Sequence, residues 1–168
     1  VKLLQFARPG DFGTFEEDVD LAAVLRDCLV LVDHVVTKAG HQVTLDTHAE
    51  TPPVRINPGE LQQVVINLVT NAAQAMKTPG HLTLTTRPAL RNGHPGAVLI
   101  VADTGPGIPK DKLSLVFDPF FTTKQGEGTG LGLSVSQTLI QQAGGRITAR
   151  NRAEGGAEFT VWLPAQTV

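Results

Sequence analysis

Early in the chain, apolar residues recur at the spacing of a helix face. Leu21, Val24, Leu25, Cys28, Leu29, Val32, Val35 and Val36 stand three and four positions apart. Asp20 is placed to cap this helix and Gly40 to close it with a left-handed residue. Residues 42–46 alternate polar and apolar as a strand does, and Val54, Arg55 and Ile56 make a second short strand after the Pro52-Pro53 break. A better specified helix follows. Asn57 is its cap, Pro58 takes the first position and Glu60 the third, a capping box with Asn as the cap. Its inward face is Leu61, Val64, Val65, Leu68, Ala72, Ala75 and Met76, where it ends. Residues 82–87 and 97–102 pair as strands joined by a polar loop through Asn92-Gly93. Residues 103–133 carry glycine and proline punctuation and only a short helix near 111–117. A helix over 134–143 stops at Gly144-Gly145, and strands over 146–151 and 158–163 form a closing hairpin.

Helices and antiparallel strands together predict an α+β fold: a two-layer sandwich with helices on one face of a mixed, mostly antiparallel sheet of about five strands. Residues 1–19 read as the tail of a preceding helix and a linker broken at Arg8-Pro9-Gly10, and 20–168 as one domain. A chain of 168 residues suffices for one real core. The formal net charge of −2, with Lys and Arg scattered, gives no electrostatic footprint for nucleic acid or anionic lipid. No apolar run approaches the roughly 20 residues of a membrane-spanning helix, and the first residues have no signal-peptide core. The single cysteine, Cys28, excludes an internal disulfide, fits a reducing compartment and reads as packing. A chain that begins at Val1 is expected to be a piece of a longer protein.

Four stretches carry candidate chemistry. On the second helix Gln63, Asn67, Asn71 and Gln74 stack on one side, apart from the apolar stripe. Such a stripe is either a solvated face or a row of neutral amide oxygens suited to a hard cation, and Asn is a mediocre helix former. Asp103-Thr-Gly-Pro-Gly107 follows the apolar strand, so Asp103 either caps its own turn or accepts a hydrogen bond from an exocyclic amine, which adenine offers and guanine lacks at that position. Phe117-Asp-Pro-Phe-Phe-Thr-Thr-Lys124 is either an apolar anchor under a loop or the base of a mobile cover. Gly126, Gly128, Gly130 and Gly132 precede a helix, where backbone amides can converge on an anion. Neither a P-loop nor the dinucleotide fingerprint fits this glycine spacing.

Taken in this order, the four motifs resemble the ATP-binding catalytic domain of bacterial sensor histidine kinases over roughly residues 20 to 164. The Phe-Phe-Thr-Thr-Lys form is similar to that of nitrogen-regulatory and dicarboxylate-sensing members. The resemblance implies the Bergerat-type ATP-binding fold, with ATP and Mg2+ as cofactors. It gives Asn71 the metal and places Asn67 beside phosphates and metal-bound water. It assigns adenine to Asp103, with Gly105, Gly107 and Ile108 around the base. Phe120, Thr122, Thr123 and Lys124 lie at the base of the nucleotide lid, and Gly128, Thr129, Gly130, Leu131 and Gly132 cradle the phosphates. Asn67, Asn71 and Lys124 are the residues expected to serve phosphoryl transfer.

Two departures stand out. Many relatives carry a basic residue and an aromatic after the second Asn, where this chain has Gln74 and Ala75, which leaves Lys124 to meet phosphate charge. The last glycine box reads Gly156-Ala157 instead of Gly-Thr. The family phosphorylates a histidine followed by an acidic residue on a dimeric helical hairpin. None of His34, His41, His48, His81 and His94 is followed by an acid. The acceptor is therefore expected on a separate domain, in a homodimeric cytoplasmic kinase whose full length can be anchored to the inner membrane, with a response regulator receiver domain downstream. Rival readings are the gyrase, heat-shock and mismatch-repair ATPases of the same superfamily, which activate water with an acidic residue where this chain has Asn67, and a non-catalytic nucleotide sensor.

Overall fold

The computed structural model describes residues 16–119 and 132–165. Seven strands and three α-helices follow one another in chain order: β1 (Glu16–Val19), α1 (Leu21–Lys38), β2 (Gln42–Thr47), β3 (Val54–Ile56), α2 (Pro58–Ala75), β4 (His81–Arg91), β5 (His94–Ala102), α3 (Gly132–Gln142), β6 (Arg146–Asn151) and β7 (Ala157–Pro164). A 3-10 helix spans Lys110–Leu115. Among the described residues no helix is long and apolar enough to cross a membrane.

Local chemistry sets the helix ends. The Asp20 side chain accepts from the Ala22 N–H, and Asn57 accepts from the Glu60 N–H at 3.0 Å with Pro58 behind it. At the other end of α1, Gly40 takes φ +83°, Gly40 N–H donates to the Thr37 carbonyl, and His41 N–H donates to the Val36 carbonyl. This is the paired Schellman closure, repeated after α3 by Gly144 and Gly145.

The main sheet runs β2-β4-β5-β7-β6, with β2 parallel to β4 and every other pair antiparallel. The five-stranded mixed sheet and its single helical layer agree with the fold expected from the sequence. One face buries Leu82, Leu84, Leu99, Val101, Val161 and Leu163 against α1, α2 and α3. On the other face Val98, Ile100 and Trp162 form a small cluster of their own. The Trp162 indole N–H donates to the Ala89 carbonyl, and the Arg91 guanidinium lies 5.7 Å from the ring centroid.

Three features differ from the expectation. The β4–β5 connection is no loop: the strands run on to a two-residue turn in which Asn92 and Gly93 take φ +52° and +79°. Pro88 is tolerated there because β2 pairs with β4 only as far as Thr86, so Pro88 lies on an edge and removes no ladder bond. Glu16–Val19 also forms a strand, antiparallel to Val54–Ile56, in a two-stranded sheet of its own. Gly132 is already helical, within α3, rather than in the loop before it.

Candidate functional site

Helix α2 is the spine of the site. Its apolar face, Leu61, Val64, Val65, Leu68, Val69, Ala72 and Ala73, is buried, which turns Gln63, Asn67, Asn71 and Gln74 the other way. Gln63 and Gln74 are exposed, whereas Asn67 and Asn71 are half-buried. Asn67 donates through Nδ2 to the Ser136 hydroxyl at 3.2 Å, and Ser136 is buried on α3. The start of α3 presses on the same amide: a Cβ at Gly132 would stand 2.8 Å from Asn67 Nδ2. Glycine at this position lets α3 approach α2 closely, since any side chain there would have to displace the Asn67 amide.

At the far end of α2 lies Asp103, the first residue beyond β5 and 2% exposed. Its Oδ1 accepts from Gly105 N–H at 2.8 Å and from Ala157 N–H at 3.2 Å. Its backbone N–H donates to the Ala157 carbonyl and its carbonyl accepts from Arg152 Nη1 at 2.9 Å. Among the described residues Oδ2 takes no hydrogen bond. One carboxylate oxygen is thus fixed by backbone N–H groups, and the other accepts from none of the described residues.

The loop after Asp103 packs on the C-terminal end of α2. A Cβ at Gly105 would lie 3.3 Å from the Met76 side chain and 3.4 Å from the Ala75 carbonyl oxygen. Thr104 accepts from His81 N–H and points its hydroxyl at Met76 Sδ, 3.6 Å away. Gly107 takes φ +80°, which turns Ile108 toward Asn151. The Asn151 amide then accepts from Ile108 N–H and donates to Ile108 C=O, both at 2.7 Å. His41 is buried and structural: its Nδ1 accepts from Gly80 N–H and its Nε2 donates to the Ala73 carbonyl, which fixes the Nε2–H tautomer. Beyond the 3-10 helix, Phe117 stands edge-on to Phe159 with centroids 6.2 Å apart.

The expected residues that the structure describes lie along the C-terminal half of one helix. Asn67 and Gly132 meet at the middle of α2, and Asp103 and Gly105 lie at its C-terminal end beside Met76, about 13 Å further along at the 1.5 Å rise of an α-helix. Asn71 lies between, on the Asn67 side. Phe120, Thr122, Thr123, Lys124, Gly128, Thr129, Gly130 and Leu131 lie outside the described residues. Sequence reasoning missed Asn151, Arg152, Ser136 and Met76, whose roles depend on partners far away in the chain. The positive φ of Gly155 and Gly156 was the one local signal, visible in the Glu-Gly-Gly run. At the Gly156-Ala157 departure, Ala157 meets Asp103 through its backbone N–H and C=O.

Whether these residues suit a magnesium ion is a question of donor chemistry. Among the described residues no cluster of three His, Cys, Asp or Glu side chains could cage an ion. Mg2+ bound with phosphates needs only one or two protein oxygens, because phosphate and water supply the rest. The amide carbonyl of Asn67 is uncommitted among the described residues, since its bond to Ser136 uses the nitrogen. Asn71, one turn on, adds a second hard oxygen, and the donor set fits.

Residues 56–167 match the family model described as histidine kinase-, DNA gyrase B- and HSP90-like ATPase. The sensor histidine kinase ZraS of Escherichia coli (strain K12) is 35% identical over 163 residues, which cover 97% of this chain and 34% of that protein. The chain therefore spans about a third of this relative's length. The solved catalytic domain of histidine kinase ThkA superposes with a TM-score of 0.78 at 32% identity, over 90% of this chain and 97% of that one. ThkA in complex with the response regulator protein TrrA matches at a TM-score of 0.74 and 29% identity, over 92% of this chain and 42% of that one. A buried carboxylate at the C-terminal end of an asparagine-bearing helix, and a glycine of α3 packed on that helix's middle turn, are thus set in a chain that belongs to the histidine kinase-, DNA gyrase B- and HSP90-like ATPase family, beside the catalytic domains of sensor histidine kinases.

Proposed function

We propose that this chain is the ATP-binding catalytic domain of a two-component sensor histidine kinase. It binds Mg-ATP and presents the γ-phosphate to a histidine on a separate helical hairpin domain. Asp103 carries the reading: it is buried, pinned through Oδ1 by two backbone N–H groups, and able to accept the adenine amine through Oδ2. The helix between this carboxylate and the start of α3 gives a nucleotide its length, with the base beside Met76 and the phosphates beside Asn67 and Gly132. Asn71 is the protein ligand of the magnesium ion, which when bound neutralises phosphate charge. Lys124 and the amides from Gly128 to Leu131 complete the phosphate cradle in this proposal.

The reaction is positional. An imidazole nitrogen attacks the γ-phosphorus in line, the bond to the bridging oxygen breaks, and ADP leaves. Asn67 occupies the position at which related ATPases carry an acid to activate water, and an amide cannot take up that proton. Hydrolysis is therefore not the expected turnover. The acceptor hairpin belongs to the same kinase in a homodimer, and a response regulator takes the phosphoryl group next. The domain works on the cytoplasmic side of whatever anchors the whole kinase.

Incubating the domain with γ-labelled ATP and magnesium tests this. Acid-labile phosphohistidine should appear only when the hairpin domain of the same kinase is added. Incorporation into this chain alone, or rapid release of phosphate without acceptor, would overturn the kinase reading. Binding without transfer to the supplied hairpin would leave a nucleotide sensor in its place.

A further inference from the structure

We propose that Asn151 and Arg152 are positioning residues for base recognition, and that the turn between β6 and β7 sets the preference for adenine over guanine. The inference rests on the nucleotide reading above and deepens it. Loop 103–108 is tied at both ends to this single turn. At its start, Asp103 N–H donates to Ala157 C=O, Ala157 N–H donates to Asp103 Oδ1, and Arg152 Nη1 donates to Asp103 C=O at 2.9 Å. At its end, Asn151 grips both backbone groups of Ile108 at 2.7 Å.

The side-chain types are specific to this task. Gripping one residue's N–H and C=O together needs a donor and an acceptor on separate atoms of one short planar group, which a primary amide supplies; a carboxylate lacks the donor, and a hydroxyl carries both on a single oxygen. Arg152 is only partly exposed, reaches Asp103 across the turn, and is braced by Gly155 C=O at 3.4 Å and by Glu154 at 3.5 Å. The turn itself is closed by Arg152 N–H on Gly156 C=O and Gly155 N–H on Arg152 C=O. Neither side chain reads the base itself, which is the part of Asp103. Their effect is to hold the Asp103 carboxylate in one orientation before ligand arrives, so that ordering the loop costs nothing at binding. Slackening the clamp then weakens the contact only adenine makes and leaves the phosphate end at Asn67 and Gly132 intact.

The test is the ratio of two affinities. ATP and GTP are titrated by calorimetry into the wild-type domain, Asn151→Ala and Arg152→Ala, and the ligand-free melting temperature of each is recorded. In both variants the preference for ATP should fall by about tenfold, the scale of a lost backbone-anchoring hydrogen bond, while GTP affinity stays put. Asn151→Ser, able to make one bond of the two, should fall between. A merely structural role would lower both affinities in proportion, and an unchanged ratio in a folded variant overturns the inference. Should Asn151→Ala fail to fold, Arg152→Ala decides alone, since it removes a side chain from the rim of the turn. A wild-type domain that binds neither nucleotide, or both equally, would sink the nucleotide reading itself, which separates the two failures.

Discussion

Gly156 packs its α-carbon directly against the carbonyl oxygen of Asp103, where a side chain would overlap that oxygen. Its φ of +91° is a conformation that L side chains rarely adopt. Gly156→Ala must therefore strain the turn and push it off Asp103. The expected cost is about 1–3 kcal/mol in urea melts, the range for a residue held in a disfavoured backbone region, together with weakened ATP binding. Gly155→Ala is the comparison, since nothing crowds a Cβ there although φ is +104°. If the two variants bind ATP equally well, contact with Asp103 has no bearing on the site.

Asp103→Asn separates fold from recognition. The new amide oxygen can still accept from Gly105 and Ala157, so the loop should hold. The position of Oδ2 becomes an NH2 group that faces the adenine amine, donor against donor. ATP affinity should fall by about 1–3 kcal/mol, the range for a hydrogen bond to a charged group, with the melting temperature little changed. Calorimetry that finds full affinity would remove Asp103 as the base reader.

Asn71→Ala addresses the metal. Alanine is the better helix former by up to about 0.7 kcal/mol, so α2 should persist. In the wild-type domain ATP should bind more tightly with magnesium than with a chelator present. In the variant the two affinities should coincide. A magnesium dependence that survives intact would assign the ion to other oxygens.

What the sequence made legible was what neighbours in the chain decide. The Asn57-Pro58-Glu60 start of α2 and the stripe of α1 need only a few residues to specify them, and both elements stand where they were expected. Glu16–Val19 escaped because Glu-Glu-Asp-Val has no alternation and depends on β3 for its pairing. Pro88 and Pro95 masked the length of the β4–β5 hairpin, since their cost depends on which edge is unpaired. Asn151 and Arg152 were invisible for a related reason: Ile108 and Asp103, which they hold, lie more than forty positions away. The asparagine and glycine motifs were read through a resemblance, and the structure adds the half that motifs omit, the turn that braces them.

Cys28 gives a pH dependence with a definite sign. Its side chain is buried in α1, and burial, with the Asp27 carboxylate next to it, pushes the thiol up from 9.0 to about 12. Below pH 9 both folded and unfolded chains keep the proton, and Cys28 adds no slope. Between pH 9 and about 12 only the unfolded chain releases it, so stability declines by about 1 kcal/mol per pH unit. Cys28→Ala, which leaves every other charged group in place, should lose this part of the decline. Parallel urea melts from pH 8 to 10.5 read the difference in slope, and equal slopes would refute the assignment. The same burial predicts that a thiol reagent labels Cys28 only as fast as the chain opens.

Thr86 carries the one buried side-chain polar atom among the described residues that has no hydrogen-bond partner. It is fully buried on the helix-facing side of β4, in line with Leu82 and Leu84, and pairs across the sheet with Thr47 and Leu99. A hydroxyl there has left water and gained nothing in return, a loss on the order of 1–3 kcal/mol. Valine has the same branched shape with a methyl in place of the oxygen, so Thr86→Val fills the same space and removes the orphan. It should stabilise the domain by about 1 kcal/mol, seen as a higher urea midpoint at an unchanged slope. Nucleotide affinity should not move, because Thr83, not Thr86, pairs with the Ala102 that precedes Asp103. A destabilised Thr86→Val variant would mean that the hydroxyl finds a partner in solution after all.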